Sequence, residues 1–150
     1  EKTAEGLQDY AREYYAMGNE CITQARDARA ALANYDKALE LYPEYTDAWV
    51  RKGVTLFNEN QYQEAEECLN HAVRLRPAEF KNRDNRGKLR LKLGNIEGAI
   101  ADLDKATTLK PEHAGAHELF GDALMQAGKE VEAALQWRLA EELRKKRSSK

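Results

Sequence analysis

Between residues 113 and 122 the chain holds side chains whose types and spacing could bind a metal. His113 and His117 stand four apart with Glu118 and Asp122 close behind. Residues four apart share one helix face, where imidazole and carboxylate groups can converge on a cation. No third strong ligand is fixed by this spacing, and His113 lies two residues after Pro111, so no metal is expected. The segment "GKLRLKLGN" has the glycines and lysines of a phosphate loop, but neither its Gly-Lys-Ser/Thr ending nor a preceding strand. Cys21 and Cys68 read as small apolar fillers, and His71 in "LNHAV" as a partly buried surface histidine. No nucleophile stands beside a base, so no catalytic residue, no cofactor and no enzyme are expected.

A second constellation is cationic. In "FKNRDNRGKLRLKLGN", residues 80 to 95, Arg83, Arg86 and Arg90 fall on one helix face where an apolar stripe would normally lie. Residues 81 to 92 hold six cations, the other three being Lys81, Lys88 and Lys92, against one anion, Asp84. Such a surface can grip carboxylates or phosphates through charge-assisted hydrogen bonds. No aromatic side chains alternate with these cations to stack bases, which disfavours nucleic acid. The closing "LRKKRSSK" reads as a helix end whose cations complement the dipole, in preference to a localisation or nucleic-acid patch.

The elements that position these residues follow from composition and period. A chain of 150 residues can bury about two-thirds of its unfolded surface as one domain. Its 42% hydrophobic and 33% charged content suits an elongated helical protein. A net charge of −2 leaves any electrostatic recognition local. Two distant cysteines make no disulfide framework, and no apolar run nears the roughly 18 residues of a membrane span. With no signal-peptide core visible, cytoplasm is the default location. Glu1 opens the chain without a methionine, which reads as an excised or processed piece.

A 34-residue period runs through the sequence. Pro43, Pro77 and Pro111 keep it, as do Ala31, Ala65, Ala99 and Ala133. Ala38, Ala72, Ala106 and Ala140 form another column, and Tyr35, Leu69, Leu103 and Trp137 a fourth. Gly53, Gly87 and Gly121 follow it too, with Gly18 displaced by one residue. Within each period an apolar set such as Tyr62, Ala65, Cys68, Leu69, Ala72 and Val73 steps by three and four, predicting a helix that needs a neighbour. Each proline ends such a helix. Asn60, Gly94 and Gly128 supply residues tolerant of left-handed backbone between helices. Small residues at fixed columns predict close helix approach, and one hairpin cannot bury its stripe alone, so repeats must stack.

These residues resemble the tetratricopeptide repeat (TPR) family, most strongly at Trp49, Gly53, Leu56, Ala65, Leu69, Ala72 and Pro77. The resemblance implies an all-α fold, a right-handed α–α superhelix (TPR solenoid) of antiparallel helix pairs. It covers nearly the whole chain as a single domain over 1–150, with repeats of about 11–45, 46–79, 80–113 and 114–147 and a basic helical extension to 150. Repeat one carries an extra residue near "TQARDAR", predicting a longer hairpin turn. Repeat four has Lys145 in place of the closing proline, so its second helix can run on, leaving Leu135, Leu139 and Leu143 without a following helix.

The resemblance also implies that first helices line a peptide-binding groove. Carried over residue by residue, it places Tyr15 and Asn19 there from repeat one. Repeat two supplies Val50, Arg51, Val54, Phe57 and Asn58, and repeat three Lys81, Asn85, Lys88, Leu91 and Lys92. Repeat four supplies Glu118 and Asp122. Val50, Val54, Phe57 and Leu91 would form an apolar floor beneath cations and amides. A protein or peptide segment with an apolar anchor and a carboxylate suits that surface. The expected function is a non-catalytic protein–protein interaction scaffold or adaptor.

The alternatives are a self-associating structural module, a homo-oligomer, or a portion of a larger multi-repeat protein. Grip on a chaperone's acidic C-terminus by a five-residue carboxylate clamp is a lesser alternative, as is nucleic-acid binding. Asn19 and Lys81 match that clamp, while Tyr15, Arg51 and Asn85 depart from it. In the repeat register Arg83 and Arg90 stand in the columns of Trp49 and Leu56, and Arg86 in that of Lys52. That face therefore reads as a weakened packing seam, its aliphatic stems covering apolar surface while the charged heads reach water or acidic neighbours, with Phe80, Leu89 and Leu93 as compensating anchors.

Overall fold

A computed structural model describes residues 3–150. The described residues form eight α-helices and no strand: α1 (Ala4–Glu20), α2 (Ala28–Leu41), α3 (Thr46–Asn58), α4 (Tyr62–Leu75), α5 (Phe80–Leu93), α6 (Ile96–Leu109), α7 (Ala114–Gln126) and α8 (Glu130–Ser148). They pair as four hairpins, α1 with α2, α3 with α4, α5 with α6 and α7 with α8. The chain divides into two compact bodies, Glu1–Arg76 and Pro77–Lys150, each holding two hairpins. In the first body α2 packs on α3, and in the second α6 packs on α7.

The alanine columns explain the close packing. Ala31, Ala65, Ala99 and Ala133 are each 0% exposed, because a larger side chain would hold the paired axes apart. Beside them Leu69 and Leu103 are fully buried, each contributing about 1.5–3 kcal/mol. Leu103 also explains the glycine column. A Cβ added at Gly87 would lie 2.8 Å from Leu103 Cγ, and at Gly121 one would lie 2.5 Å from the Trp137 ring.

The hairpin turns repeat with the same step. Arg26, Asn60, Gly94 and Gly128 all have left-handed backbone, at φ of 50°, 63°, 80° and 79°. In repeats two to four the residue after the left-handed one donates its amide five residues back: Gln61 to the Leu56 carbonyl, Asn95 to Arg90 and Lys129 to Leu124. In repeat one the bond spans six residues, from Asp27 to Cys21 at 2.9 Å. The extra residue expected there is taken up as a π-helical turn, Cys21–Ala25. Asp27 and Asn95 then cap α2 and α6 by accepting the amides of Ala30 and Gly98. α1 begins at Ala4, ahead of residue 11 where the repeat register starts, with Thr3 as its cap.

The turns between repeats are tied by one recurring bond. Trp49 Nε1 donates to the Pro43 carbonyl at 2.8 Å, Arg83 Nε to the Pro77 carbonyl at 3.3 Å, and His117 Nε2 bonds the Pro111 carbonyl at 2.7 Å. Each partner lies six residues before its side chain. Arg83 thus replaces the Trp49 donor with its own.

The expected weak seam is instead an ion cluster. Asp102 on α6 is buried, and Arg86 grips it with two bonds, Nε to Oδ2 at 2.9 Å and a terminal nitrogen to Oδ1 at 2.8 Å. Arg90 reaches Oδ2 at 3.1 Å and Arg83 reaches Oδ1 at 3.3 Å. Leu89 is buried beside them, whereas Phe80 and Leu93, expected as the other anchors, are only half-buried. Asp102 stands one period after Cys68, so an ionic core replaces an apolar one at the same column. α8 does run on through Lys145 to Ser148, with Val131 at 86% and Leu135 at 53% exposure and Leu139 and Leu143 half-buried.

Candidate functional site

In the first body, α1 and α3 bring together four of the expected groove residues. Asn19, Arg51, Val54 and Asn58 line a cavity of about 540 Å³, joined by Ile22, Thr23, Arg26, Tyr35 and Glu59 among others. Tyr35, rooted in α2 and 1% exposed, donates its hydroxyl to Asn19 Oδ1 at 2.7 Å. That bond orients the Asn19 amide, its carbonyl accepting from Tyr35 and its NH2 left to donate. Burial pushes the Tyr35 hydroxyl pKa up, with the Arg51 guanidinium pulling it partly back. Arg51 itself is exposed and makes no ion pair among the described residues. Val54 supplies half-buried apolar surface below these donors. The cavity is therefore rich in donors and suited to a carboxylate or to peptide carbonyls.

The other expected residues of this body lie outside the cavity lining. Tyr15 packs its ring 5.0 Å from Tyr45 and 6.0 Å from Tyr35, and Phe57 lies 5.5 Å from Tyr62. Val50 is half-buried on the same helix as Arg51. Arg26 and Tyr35 were missed in the sequence. Arg26 was detectable, since it falls on the 34-residue step of the turn residues Asn60, Gly94 and Gly128.

In the second body Lys81, Lys88 and Lys92 are exposed along α5, with Asn85 half-buried between them. Leu91 packs against the core of Ala99, Leu103, Phe120, Ala123, Leu124 and Ala133. Asp84 lies on this helix with its Oδ1 buried and unpartnered. Burial pushes its carboxyl pKa above the usual carboxylate value, partly offset by His113 and Lys88. Glu118 and Asp122 are both engaged by α8, Glu118 in an ion pair with Arg144 and Asp122 accepting the Trp137 indole N–H at 3.0 Å. The acidic far end is thus tied to the second helix of its own hairpin.

The four residues with metal-like spacing are used structurally. His113 Nδ1 accepts the Ala116 amide at 3.1 Å, capping α7, and its ring lies 4.8 Å from Phe80. The Pro111 carbonyl can only accept, so His117 Nε2 carries a proton, and Nδ1 is held by Gln136 at 2.7 Å. Among the described residues no three His, Cys, Asp or Glu side chains gather as a metal site. Cys68 is buried, and its thiol pKa is pushed up to about 11, chiefly by burial.

Two family models, both described as tetratricopeptide repeat, match residues 23–81 and 54–120. The chain belongs to the tetratricopeptide-repeat family. An uncharacterised protein of Methanocaldococcus jannaschii is 41% identical over 59 residues, 39% of this chain and 67% of that protein. A human FK506-binding protein-like protein is 31% identical over 133 residues, covering 83% of this chain. The chain spans 38% of that human protein's length. Among solved structures, MamA from Desulfovibrio magneticus RS-1 is 26% identical, with a TM-score of 0.83 covering 95% of this chain and 80% of the other. The fold class is the all-α TPR solenoid. Among the described residues no helix is long and apolar enough to cross a membrane.

Proposed function

We propose that this TPR chain is a non-catalytic scaffold that holds an extended protein segment at the cavity of its first body. TPR proteins serve generally as protein–protein interaction scaffolds, and the chain's own geometry supports a definite anchor. The observation that carries the reading is Arg51, an exposed guanidinium without an ion-pair partner among the described residues, beside Asn19 and Asn58 at a cavity of about 540 Å³. Arg51 takes a ligand carboxylate, the Asn19 and Asn58 amides take backbone carbonyls, and Val54 takes an apolar side chain. Lys81, Asn85, Lys88 and Lys92, with Leu91 among them, offer a second donor surface on α5 of the other body, and Glu118 and Asp122 remain groove candidates.

Self-association through α8 is the competing reading, favoured by the exposure of Val131 and Leu135. Against it, Glu141 is exposed at the column where Leu39, Val73 and Thr107 are buried. On α1, Glu13 is exposed at the column of the buried Ala48, Asn82 and Ala116. Stacking α1 on α8 would bring these carboxylates toward one interface. Panning a displayed peptide library on the chain separates the readings. The cavity reading predicts enriched peptides that share a carboxylate and an apolar residue and are lost on Arg51→Glu. Enrichment that is indifferent to Arg51→Glu would contradict it.

A further inference from the structure

A basic concavity lies away from the first-helix surface. In the second body the turn between α6 and α7 and the end of α8 enclose a cavity of about 770 Å³, lined by Lys110, Glu112, His113, Arg144, Lys146, Arg147 and Lys150 among others. Five cations face one carboxylate, a local surplus of four in a chain of net charge −2. Basic charge is therefore segregated here and not spread evenly. Arg144 is paired with Glu118, and the Lys110 ammonium lies 5.5 Å from the Phe80 ring centroid. Lys146, Arg147 and Lys150 make no ion pair among the described residues. The amino end of α7 is already capped by His113, so recognition rests on the side chains.

We propose that this cavity is a second docking site, distinct from the first-helix surface, for an extended acidic protein segment. Its size decides against a lone inorganic anion, since pockets of about 300–1,000 Å³ hold ligands of many atoms. Its lining decides against single-stranded nucleic acid, because the one ring present, His113, is packed against Phe80 and leaves no aromatic platform for bases. From Arg144 to Ser148, its last residue, the helix rises about 6 Å, with Lys150 two residues beyond, and alternate carboxylates of an extended strand stand about 7 Å apart. Two such carboxylates can thus meet separate cations along α8 while a third reaches Lys110.

The test is fluorescence anisotropy with a labelled peptide of alternating glutamate and serine and the whole chain. The expected result is saturable binding that weakens at least about tenfold in Lys146→Glu/Arg147→Glu. Arg29→Glu/Arg74→Glu, which changes net charge equally on another surface, should leave it within about twofold. Both altered pairs are exposed, and unchanged circular dichroism shows that each folds. An equal loss in both pairs would overturn the site in favour of bulk charge. Displacement of the peptide by inorganic phosphate or by a single-stranded oligonucleotide at equal or lower concentration would overturn the assignment to an acidic protein segment.

Discussion

Arginine is used in two opposite ways in the two bodies of this protein. In the second body Arg83, Arg86 and Arg90 surround one buried carboxylate, Asp102, at 2.8–3.3 Å. In the first body Arg51 stands exposed at a cavity with no ion-pair partner among the described residues. The first set is the denser patch of positive charge, yet its charge is engaged internally. A count of cations therefore points to the wrong arginines, and only the partner of each one separates structure from recognition.

The contrast is sharper because the matching columns of the first body solve the same packing problem without a buried carboxylate. Trp49, Lys52, Leu56 and Cys68 stand where Arg83, Arg86, Arg90 and Asp102 stand one period later. There Trp49 stacks on His71 at 4.1 Å, Cys68 fills the site of the buried aspartate, and Lys52 pairs outward with Asp36 at 2.7 Å.

The largest predicted effect comes from removing the charge on which the ionic seam converges. Asp102→Asn should lower the unfolding free energy by about 3–5 kcal/mol, because three guanidiniums lose their common partner. Chemical denaturation measures this, and a loss below about 1 kcal/mol would show the seam to be merely tolerated. Replacing Arg86 and Asp102 together by Met and Leu should recover most of the loss, since apolar residues of similar volume often substitute for buried ion networks.

Next in size, Gly87→Ala should cost about 1–3 kcal/mol, as the added methyl meets Leu103 at 2.8 Å. No measurable cost would mean that α5 and α6 separate easily, and would revive the weak-seam expectation. A smaller effect concerns Asp84. Its carboxyl pKa is raised in the fold, so its favourable contribution is present below about pH 3.8 and is lost as pH rises through the folded value. Asp84→Asn should therefore be neutral or stabilising by up to about 1 kcal/mol at pH 7 and lose that advantage near pH 3. The reverse pH trend would contradict the burial argument. Smallest of all is a reactivity contrast: buried Cys68, with its thiol near 11, should resist alkylation at pH 8 in the folded chain. Rapid modification at Cys68 would show that the first body's apolar seam opens readily.

Much of this was legible in the sequence because the 34-residue period ties each column to a physical role. Alanine and glycine columns mark close helix approach, proline marks the turn between repeats, and Asn60, Gly94 and Gly128 mark the left-handed turns. The extra residue of repeat one could be placed as a longer turn, although its π-helical form depends on hydrogen bonds that spacing alone does not dictate. The arginine seam was half legible: acidic neighbours for the charged heads were expected, but the single buried acid that gathers all three lies on another helix. "IADLDKAT" did carry the signal, since Asp102 occupies a column held elsewhere by Asn34, Cys68 and Gln136. The cavity at Arg51 was half legible. Asn19, Val54 and Asn58 follow the register, but the orienting bond from Tyr35 joins two helices and shows only in three dimensions. His113 and His117 had metal-like spacing, and both turned out to hold the start of α7 in place.

The most direct test of the account is calorimetric titration of a peptide enriched by panning into the wild-type chain, Arg51→Glu and Arg86→Met, each with its melting temperature. The account predicts that Arg51→Glu leaves melting nearly unchanged and weakens the peptide at least about tenfold. Arg86→Met should lower the melting temperature and leave the affinity of the folded chain within about twofold. Wild-type affinity in Arg51→Glu, with binding lost instead in Arg86→Met, would contradict it.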